Sequence, residues 1–351
     1  MDKDGGALKT KWGEIRHDIT TDKWVVIAKA RADRPYEYAS VEAAEPLPRF
    51  KKDCPLCDLD RFPQAPDVLR LPDDPDRWQV HIFANKYPAF SPKDDFRNWK
   101  VGPYRVMEAV GYHELLATRW HDTTDAQATQ AQLSLQLEAL LLRYRQLKAE
   151  PAVSYIQVIK NYGKNAGASL AHPHHQIFTT PMLPNDIHDK LHGGEKYFKK
   201  HDKSVYQVLL DFERSSGERI VYENELFTAL CPYASRMPFE VWIVPRHQEP
   251  FFENVGPAER EALAEIMQQV FRRIHKALND PAYNYYIQSA PCDDEGFVCD
   301  AEQFKHFRWH IEIVPRLGHR GGFELGTGLD INPSVPEECA KILRDQRIHE
   351  I

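Results

Sequence analysis

The short apolar runs Lys23–Ala28 and Val80–Phe83 predict strands, separated by a proline-rich, charged stretch from Pro46 to Pro75 that predicts irregular loop. From Asp125 to Lys148 the residues Leu133, Leu137, Leu140, Leu141 and Tyr144 recur at helical spacing with no internal Gly or Pro. A long helix is predicted there, capped by Asp122, Thr123, Thr124 or Asp125. Ser154–Ile159 then predicts a strand, Asn161–Ser169 a glycine-bearing loop, and His172–Thr179 another strand.

The second half repeats this order. Glu114 and His121 recur as Glu240 and His247, Tyr155-Ile156-Gln157 as Tyr286-Ile287-Gln288, and His172, His174 and Gln176 as Arg308, His310 and Glu312. The offsets drift from 126 through 131 to 136, as loop insertions would make them. A second helical stretch, Pro257 to Leu278, stands before the second Tyr-Ile-Gln. The chain is therefore expected to be α+β, two duplicated halves over residues 1–195 and 196–351, each an antiparallel sheet packed with a long helix.

Length supports this, since 351 residues suit about two domains with real cores. Charge narrows the partners: 45 basic against 52 acidic side chains leave −7, which argues against a binder of nucleic-acid backbone. No stretch approaches the roughly 18 continuous apolar residues of a membrane span, and the N-terminus lacks the apolar centre of a signal peptide, so a cytoplasmic protein is expected. Six cysteines are too few for a disulfide framework.

Only Cys54 and Cys57 stand at a chemically meaningful spacing. Two thiolates three apart need two more N or S donors for tetrahedral zinc, and His121 and His172 are the candidates; the alternative is a pair of buried free thiols. In His172-Pro173-His174-His175-Gln176, strand alternation would place His172, His174 and Gln176 on one face and His175 on the other. Two imidazoles and an amide after a loop rich in free backbone N–H groups suit attack on a phosphate by imidazole, unless these are ordinary strand histidines. Cys231, Cys292, Cys299 and Cys339 lack ligand spacing and are expected to pack or lie exposed.

These residues resemble the galactose-1-phosphate uridylyltransferase family, a nucleotidyl-transferring branch of the histidine-triad superfamily. The resemblance is carried by Arg31-Ala-Asp-Arg34-Pro35, Cys54-x-x-Cys57, Asn85-Lys-Tyr-Pro88, Asn161-x-Gly163 through Ala166-Gly167-Ala168-Ser169, and His172-Pro-His174-x-Gln176. Pro238-Phe239-Glu240 through Pro245 and Gly322-Phe323-Glu324 through Gly328 complete it. It implies that His174 attacks the α-phosphorus of a nucleotide sugar and releases hexose 1-phosphate, after which a second phosphate acceptor takes the nucleotide. By the same resemblance Gln176 binds phosphoryl oxygens, Ser169 the departing phosphate and Asn161 the α-phosphate. Arg31, Arg34, Asn85 and Gly167 belong to the nucleotide and phosphate region. Cys54, Cys57, His121 and His172 hold one structural zinc, and no organic cofactor is implied. Phe323 and Glu324 reach the sugar, often across a homodimer interface.

The activity so implied is uridylyl transfer from UDP-glucose to galactose 1-phosphate. A neighbouring branch phosphorolyses ADP-glucose with the same nucleophile. A nucleotide hydrolase is a further enzymatic alternative, and a binding module with a silent triad is the alternative from outside catalysis. His175 departs from the family pattern, which has a small residue there. Some relatives bind a second metal in their C-terminal half, but Arg308 stands where His172 recurs and Ser204–Glu213 holds no cysteine, so no second zinc site is expected. His306 and His310 on one strand would lie about 13 Å apart. For His310, Glu312 and His247 a satisfied polar network is expected over a weak metal site.

Overall fold

The computed structural model describes residues 13–29, 47–59, 61–62, 67–93, 97–292 and 304–348. In chain order its main elements are strands β1 (Glu14–Asp18), β2 (Lys23–Ile27), β3 (Asp67–Leu71), β4 (Val80–Ala84), β5 (Asn98–Val101), β6 (Tyr104–Met107) and β7 (His113–Thr118). Helix α1 (Gln130–Lys148), β8 (Tyr155–Tyr162) and β9 (His174–Thr180) follow, then helices α2 (Asn185–His201) and α3 (Val205–Ser216). The second half runs β10 (Ile220–Glu223), β11 (Phe227–Leu230), β12 (Val241–Pro245), α4 (Pro257–Leu278), β13 (Tyr283–Gln288), β14 (His310–Pro315), α5 (Gly322–Thr327), β15 (Asp330–Asn332) and α6 (Pro336–Arg344).

Ten strands form one sheet in the order β10-β11-β12-β14-β13-β8-β9-β7-β4-β3. Read outward from the centre, β8-β9-β7-β4-β3 and β13-β14-β12-β11-β10 are the same arrangement twice, which is the duplication expected from the sequence. The seam is an antiparallel pair, with Asn284 opposite Asn161 and Tyr286 opposite Ile159. Residue 195, where the sequence reading divides the halves, falls inside α2.

One face of this sheet is packed by the two long helices. Leu133, Leu137, Leu140, Leu141, Tyr144 and Leu147 of α1 share a core with Leu263, Ile266, Met267, Val270 and Ile274 of α4 and with Leu116, Val158, Ile177, Ile287, Ile311 and Ile313 from the strands. Each such side chain is nearly inaccessible, and burying one contributes about 1.5–3 kcal/mol. The strands α1 and α4 cover are thereby fixed in register, because a one-residue slip would turn this apolar set outward.

Helix α4 has the predicted bounds, with Pro257 in its first turn and Asn279 left-handed at its C-cap. Helix α1 does not begin at Asp125. Thr129 is its N-cap, with Thr129 and Gln132 exchanging side-chain and backbone hydrogen bonds, while Asp125 is buried and paired with Lys160 instead. Strand β9 likewise starts at His174, leaving His172 before it, because Pro173 has no N–H to give a ladder.

Candidate active site and metal centre

The sheet face opposite α1 and α4 carries the polar residues. On β9 the residues His174, Gln176 and Phe178 stand opposite Ala117, Leu115 and His113 of β7, and Gln176 stands opposite Ile159 of β8. Paired residues of an antiparallel ladder share a face, and since Lys160 pairs with His175, Asn161 comes alongside His174. His174, Gln176 and Asn161 therefore converge. His172 does not join this face from the strand, which corrects the expected three-residue stripe. His175 points the other way, buried, with its Nε2 hydrogen-bonded to the Tyr285 hydroxyl.

His174 is 5% exposed. Its Nδ1 lies 2.8 Å from the His172 carbonyl oxygen, which can only accept, so Nδ1 carries the proton and Nε2 keeps the lone pair. Burial depresses the imidazole's pKa, the hydrogen bond to His172 opposes this, and the Lys160 charge adds to it. The net lowering favours the neutral ring, the form a nucleophile requires. Gln176 Oε1 lies 3.0 Å from His113 Nε2, and Asn85 Nδ2 lies 3.0 Å from the same nitrogen, so the predicted Asn85 and Gln176 meet around a histidine that sequence reasoning missed.

The glycine loop is set by two left-handed residues, Gly163 at φ +81° and Gly167 at φ +82°. A Cβ on Gly163 would lie 2.7 Å from that of Ala282. The loop is poorer in free donors than expected, because the N–H groups of Ala166, Gly167 and Ala168 bond to the carbonyls of Gly163 and Lys164. Ser169 lies exposed at its end. Asn161 and Asn284 also line a cavity of about 680 Å³ along the seam, together with Gln157, Tyr286, Arg236 and Arg316. That volume lies within the roughly 300–1,000 Å³ of small-molecule sites.

Cys54, Cys57, His121 and His172 bring their ligand atoms within 4.8 Å of one another. Cys57 Sγ lies 2.9 Å from His121 Nδ1 and 3.5 Å from His172 Nδ1, and Cys54 Sγ lies 3.6 Å from His172 Nδ1. Tetrahedral zinc spaces such sulfur and nitrogen ligands about 3.5 Å apart. His172 Nε2 donates to the Thr118 carbonyl at 2.7 Å, which turns the Nδ1 lone pair toward the thiols. Burial takes the His172 pKa down to about 4, so it is a neutral ligand, and burial pushes the Cys57 thiol up to about 11 with Cys54 adding to the shift. A thiol pair, Cys54 buried and Cys57 half-buried, beside two neutral imidazoles is the donor set that a soft dication would deprotonate and bind. The residues fit a metal such as zinc.

In the second half the same strand positions hold a different arrangement. His310 Nδ1 lies 2.9 Å from the Arg308 carbonyl, repeating the His174 arrangement, but its Nε2 is met by Lys190 Nζ at 3.2 Å and Glu312 Oε1 at 3.2 Å. Lys190 pairs with Glu312, whose other oxygen accepts from Arg236 at 2.6 Å. His306 is not on β14 but stacks on Phe198, and His247 pairs with Glu259 at 3.2 Å. A polar network of Lys190, Arg236, His310 and Glu312 thus fills the position of the second triad, without His247.

Phe323 and Glu324 lie on the short exposed helix α5, where Glu324 accepts from Gly321 N–H. The described contacts do not bring them to His174. Arg31, Arg34 and Cys299 lie outside the described residues, while Cys231, Cys292 and Cys339 are buried. No helix among the described residues is long and apolar enough to cross a membrane.

Comparison with known proteins agrees with this geometry. The family profiles described as galactose-1-phosphate uridyl transferase, N-terminal domain and C-terminal domain, match residues 9–184 and 190–317. The chain is 31% identical over 345 residues to an ADP-glucose phosphorylase of Arabidopsis thaliana, covering 97% of this chain and 95% of that one. It is 32% identical over 345 residues to a galactose-1-phosphate uridylyltransferase of Thermotoga maritima, covering 95% and 99%. The crystal structure of an Arabidopsis thaliana ADP-glucose phosphorylase with bound ADP-glucose superposes with a TM-score of 0.80 at 28% identity, covering 96% of this chain and all of that one. The chain therefore belongs to the galactose-1-phosphate uridyl transferase family.

Proposed function

We propose that this enzyme moves a nucleoside monophosphate from a nucleotide sugar to a phosphate-bearing acceptor by double displacement through His174. The observation that carries this is the proton placement on His174: Nδ1–H is held by the His172 carbonyl, so Nε2 presents its lone pair beside Gln176. In the first step Nε2 attacks the α-phosphorus, a P–N bond forms, and the bond to the hexose 1-phosphate breaks with its electron pair on the departing oxygen. In the second step an acceptor phosphate oxygen attacks the same phosphorus and His174 leaves. The amides of Gln176 and Asn161 donate to the phosphoryl oxygens, and Ser169 to the departing phosphate. Asn85, Gly167, Arg31 and Arg34 belong to the nucleotide and phosphate side.

Zinc on Cys54, Cys57, His121 and His172 ties the cysteine loop to the residue whose carbonyl orients His174, a structural task. Phe323, exposed on α5, and the half-buried Glu324 beside it suit a role toward the sugar in the partner subunit of a homodimer. The division into residues 1–195 and 196–351 remains our assignment of the two halves.

The donor is UDP-glucose with galactose 1-phosphate as acceptor, the reading the sequence motifs resemble. A second reading is ADP-glucose with inorganic phosphate, favoured by the 0.80 TM-score to the structure with bound ADP-glucose. The identities to the two kinds of relative are 31% and 32%. Intact-mass spectrometry after mixing with each donor, without acceptor, decides. Acid-labile addition of UMP supports the first reading and of AMP the second, each absent in His174→Ala. A chain that binds the donors but forms no adduct is a binding module, and the proposal fails.

A further inference from the structure

Side-chain amides are useful to a phosphate only when the NH2 end, not the oxygen, faces it. For both amides that flank His174, the structure contains a chain of hydrogen bonds that sets this polarity, and each chain starts at a backbone group whose role is fixed by chemistry. Neither His113 nor Asn284, the middle member of each chain, has a role so far.

The first chain begins at Ala89 N–H, which can only donate. It lies 3.0 Å from His113 Nδ1, so Nδ1 must present a lone pair and the proton of the neutral ring sits on Nε2. That proton points at the side chain of Gln176 at 3.0 Å, which must therefore offer its Oε1. The His113 ring is held in this orientation by stacking on Phe178, centroids 4.0 Å apart, and is only 8% exposed. Asn85 Nδ2 reaches the same ring nitrogen at 3.0 Å, while its Oδ1 accepts from Tyr87 N–H at 2.9 Å. With Nε2 protonated this contact brings two donors together, so it is not a hydrogen bond and leaves the Nε2 proton to Gln176.

The second chain begins at the Ala166 carbonyl, which can only accept. Asn284 Nδ2 donates to it at 2.8 Å, which fixes which end of the Asn284 amide is nitrogen. The same Nδ2 lies 2.7 Å from Asn161, so Asn161 must offer its Oδ1. Asn284 belongs to β13 of the second half, directly opposite Asn161 across the seam. One side chain thus clamps both the glycine loop and the amide beside His174.

We propose that His113 and Asn284 are positioning residues that lock the amide oxygens of Gln176 and Asn161, leaving both NH2 groups free for the phosphoryl oxygens of the nucleotide sugar. The claim deepens the nucleotidyl-transfer reading and rests on it. It also gives the second half a task in the first half's chemistry: through Asn284 it sets the polarity of the phosphate site.

The test uses the full chain and four proteins: wild type, His113→Leu, His113→Gln and Asn284→Leu. Leucine removes the donor without adding charge, and glutamine places an N–H donor where His113 Nε2 stood. Losing one oriented donor to a developing oxyanion costs on the order of 100-fold in rate. With UDP-glucose or ADP-glucose, whichever labels the wild type, His113→Leu and Asn284→Leu are expected to slow adduct formation at saturating donor by about 10- to 100-fold, with metal content unchanged. His113→Gln is expected to recover most of that loss. Leucine variants as fast as wild type, or a glutamine variant as slow as leucine, overturn the proposal. A second measurement does not depend on turnover: side-chain nitrogen shifts of His113 should report the neutral ring protonated at Nε2. Protonation at Nδ1 overturns the positioning claim even in an active enzyme. Correct protonation in a wild type that forms no adduct with either donor supports the orientation and places the failure with the nucleotidyl-transfer reading.

Discussion

Lys160 and Asp125 form a buried ion pair behind strands β8 and β9, and replacing Lys160 by Met tests what that pair contributes. The ammonium lies 2.6 Å from Asp125 Oδ1 with side-chain exposures of 2% and 1%. At an effective dielectric constant near 20 the attraction at this distance is about 6 kcal/mol, of the same order as the cost of removing both charges from water. The intact pair therefore contributes little net stability, but breaking it leaves a carboxylate stranded, which costs about 3–5 kcal/mol. The Tyr283 hydroxyl still donates to Asp125 Oδ2, so the lower end, about 3 kcal/mol, is expected for Lys160→Met. Asp125→Leu should cost a similar amount. The double variant removes both charges and should recover to within about 2 kcal/mol of wild type, the remainder being Tyr283 without its acceptor. Urea unfolding followed by tryptophan fluorescence measures each, with matching slopes as the condition for comparison. Lys160 and Asp125 lie on the face away from His174, and burial, the main cause of the lowered His174 pKa, is untouched, so adduct formation in folded Lys160→Met should stay within about 3-fold of wild type at neutral pH. A loss below about 1 kcal/mol in Lys160→Met, or a double variant as unstable as the sum of the singles, refutes the stranded-charge account.

Elemental analysis should find a single zinc per chain, and Cys57→Ser should lose most of it together with adduct formation, since His172 would be released from the cysteine loop. Ser169→Ala should slow adduct formation by about 10- to 100-fold without changing metal content; an unchanged rate would remove Ser169 from the phosphate site. Acid should expose the contribution of Glu337: burial raises its pKa, but hydrogen bonds from Arg16 and Arg219 and the Arg16 charge outweigh this and hold it below 4.5. A depressed folded pKa means stability present above the ordinary carboxylate range and lost as pH falls through the lowered value, so thermal melts should weaken below pH 4.5 and Glu337→Gln should flatten that limb.

Much of this was legible along the chain, where local chemistry agreed with the final packing. Pro257 and Asn279 mark the ends of α4 because a proline at the start and a left-handed asparagine at the end are what those positions require. The duplication showed through three spaced anchors, and Cys54-x-x-Cys57 pointed to its two histidines because ligand chemistry restricts the choice. What failed were positions decided at long range. Asp125 reads as a helix cap, yet its carboxylate is spent on Lys160, 35 residues away, and Thr129 caps α1 instead. His172 reads as part of the strand, but Pro173 has no N–H for the ladder, and His172 turns its Nδ1 to the cysteines while β9 starts at His174. His113 was one of 16 histidines, with its partner Gln176 63 residues on, and Asn284 had no motif at all.

The divergence of the two halves follows from one position in each triad. Gln176 and Glu312 occupy matching places on β9 and β14, each two residues after a histidine whose Nδ1 is held by a backbone carbonyl. An amide there offers N–H groups to an anion, whereas a carboxylate would repel a phosphate and must itself be neutralised. Burial raises the pKa of Glu312, but the Lys190 and Arg236 charges outweigh it and hold the carboxylate ionised, and the same Lys190 caps the His310 nitrogen that corresponds to His174 Nε2. The second triad is thus closed by its own cations, while the first keeps a bare nitrogen between two oriented amides. On the proposed function, the exchange of amide for carboxylate separates a site that would receive a nucleotide from one that would support it, with Asn284, hydrogen-bonded to Asn161 across the seam, as the means of that support.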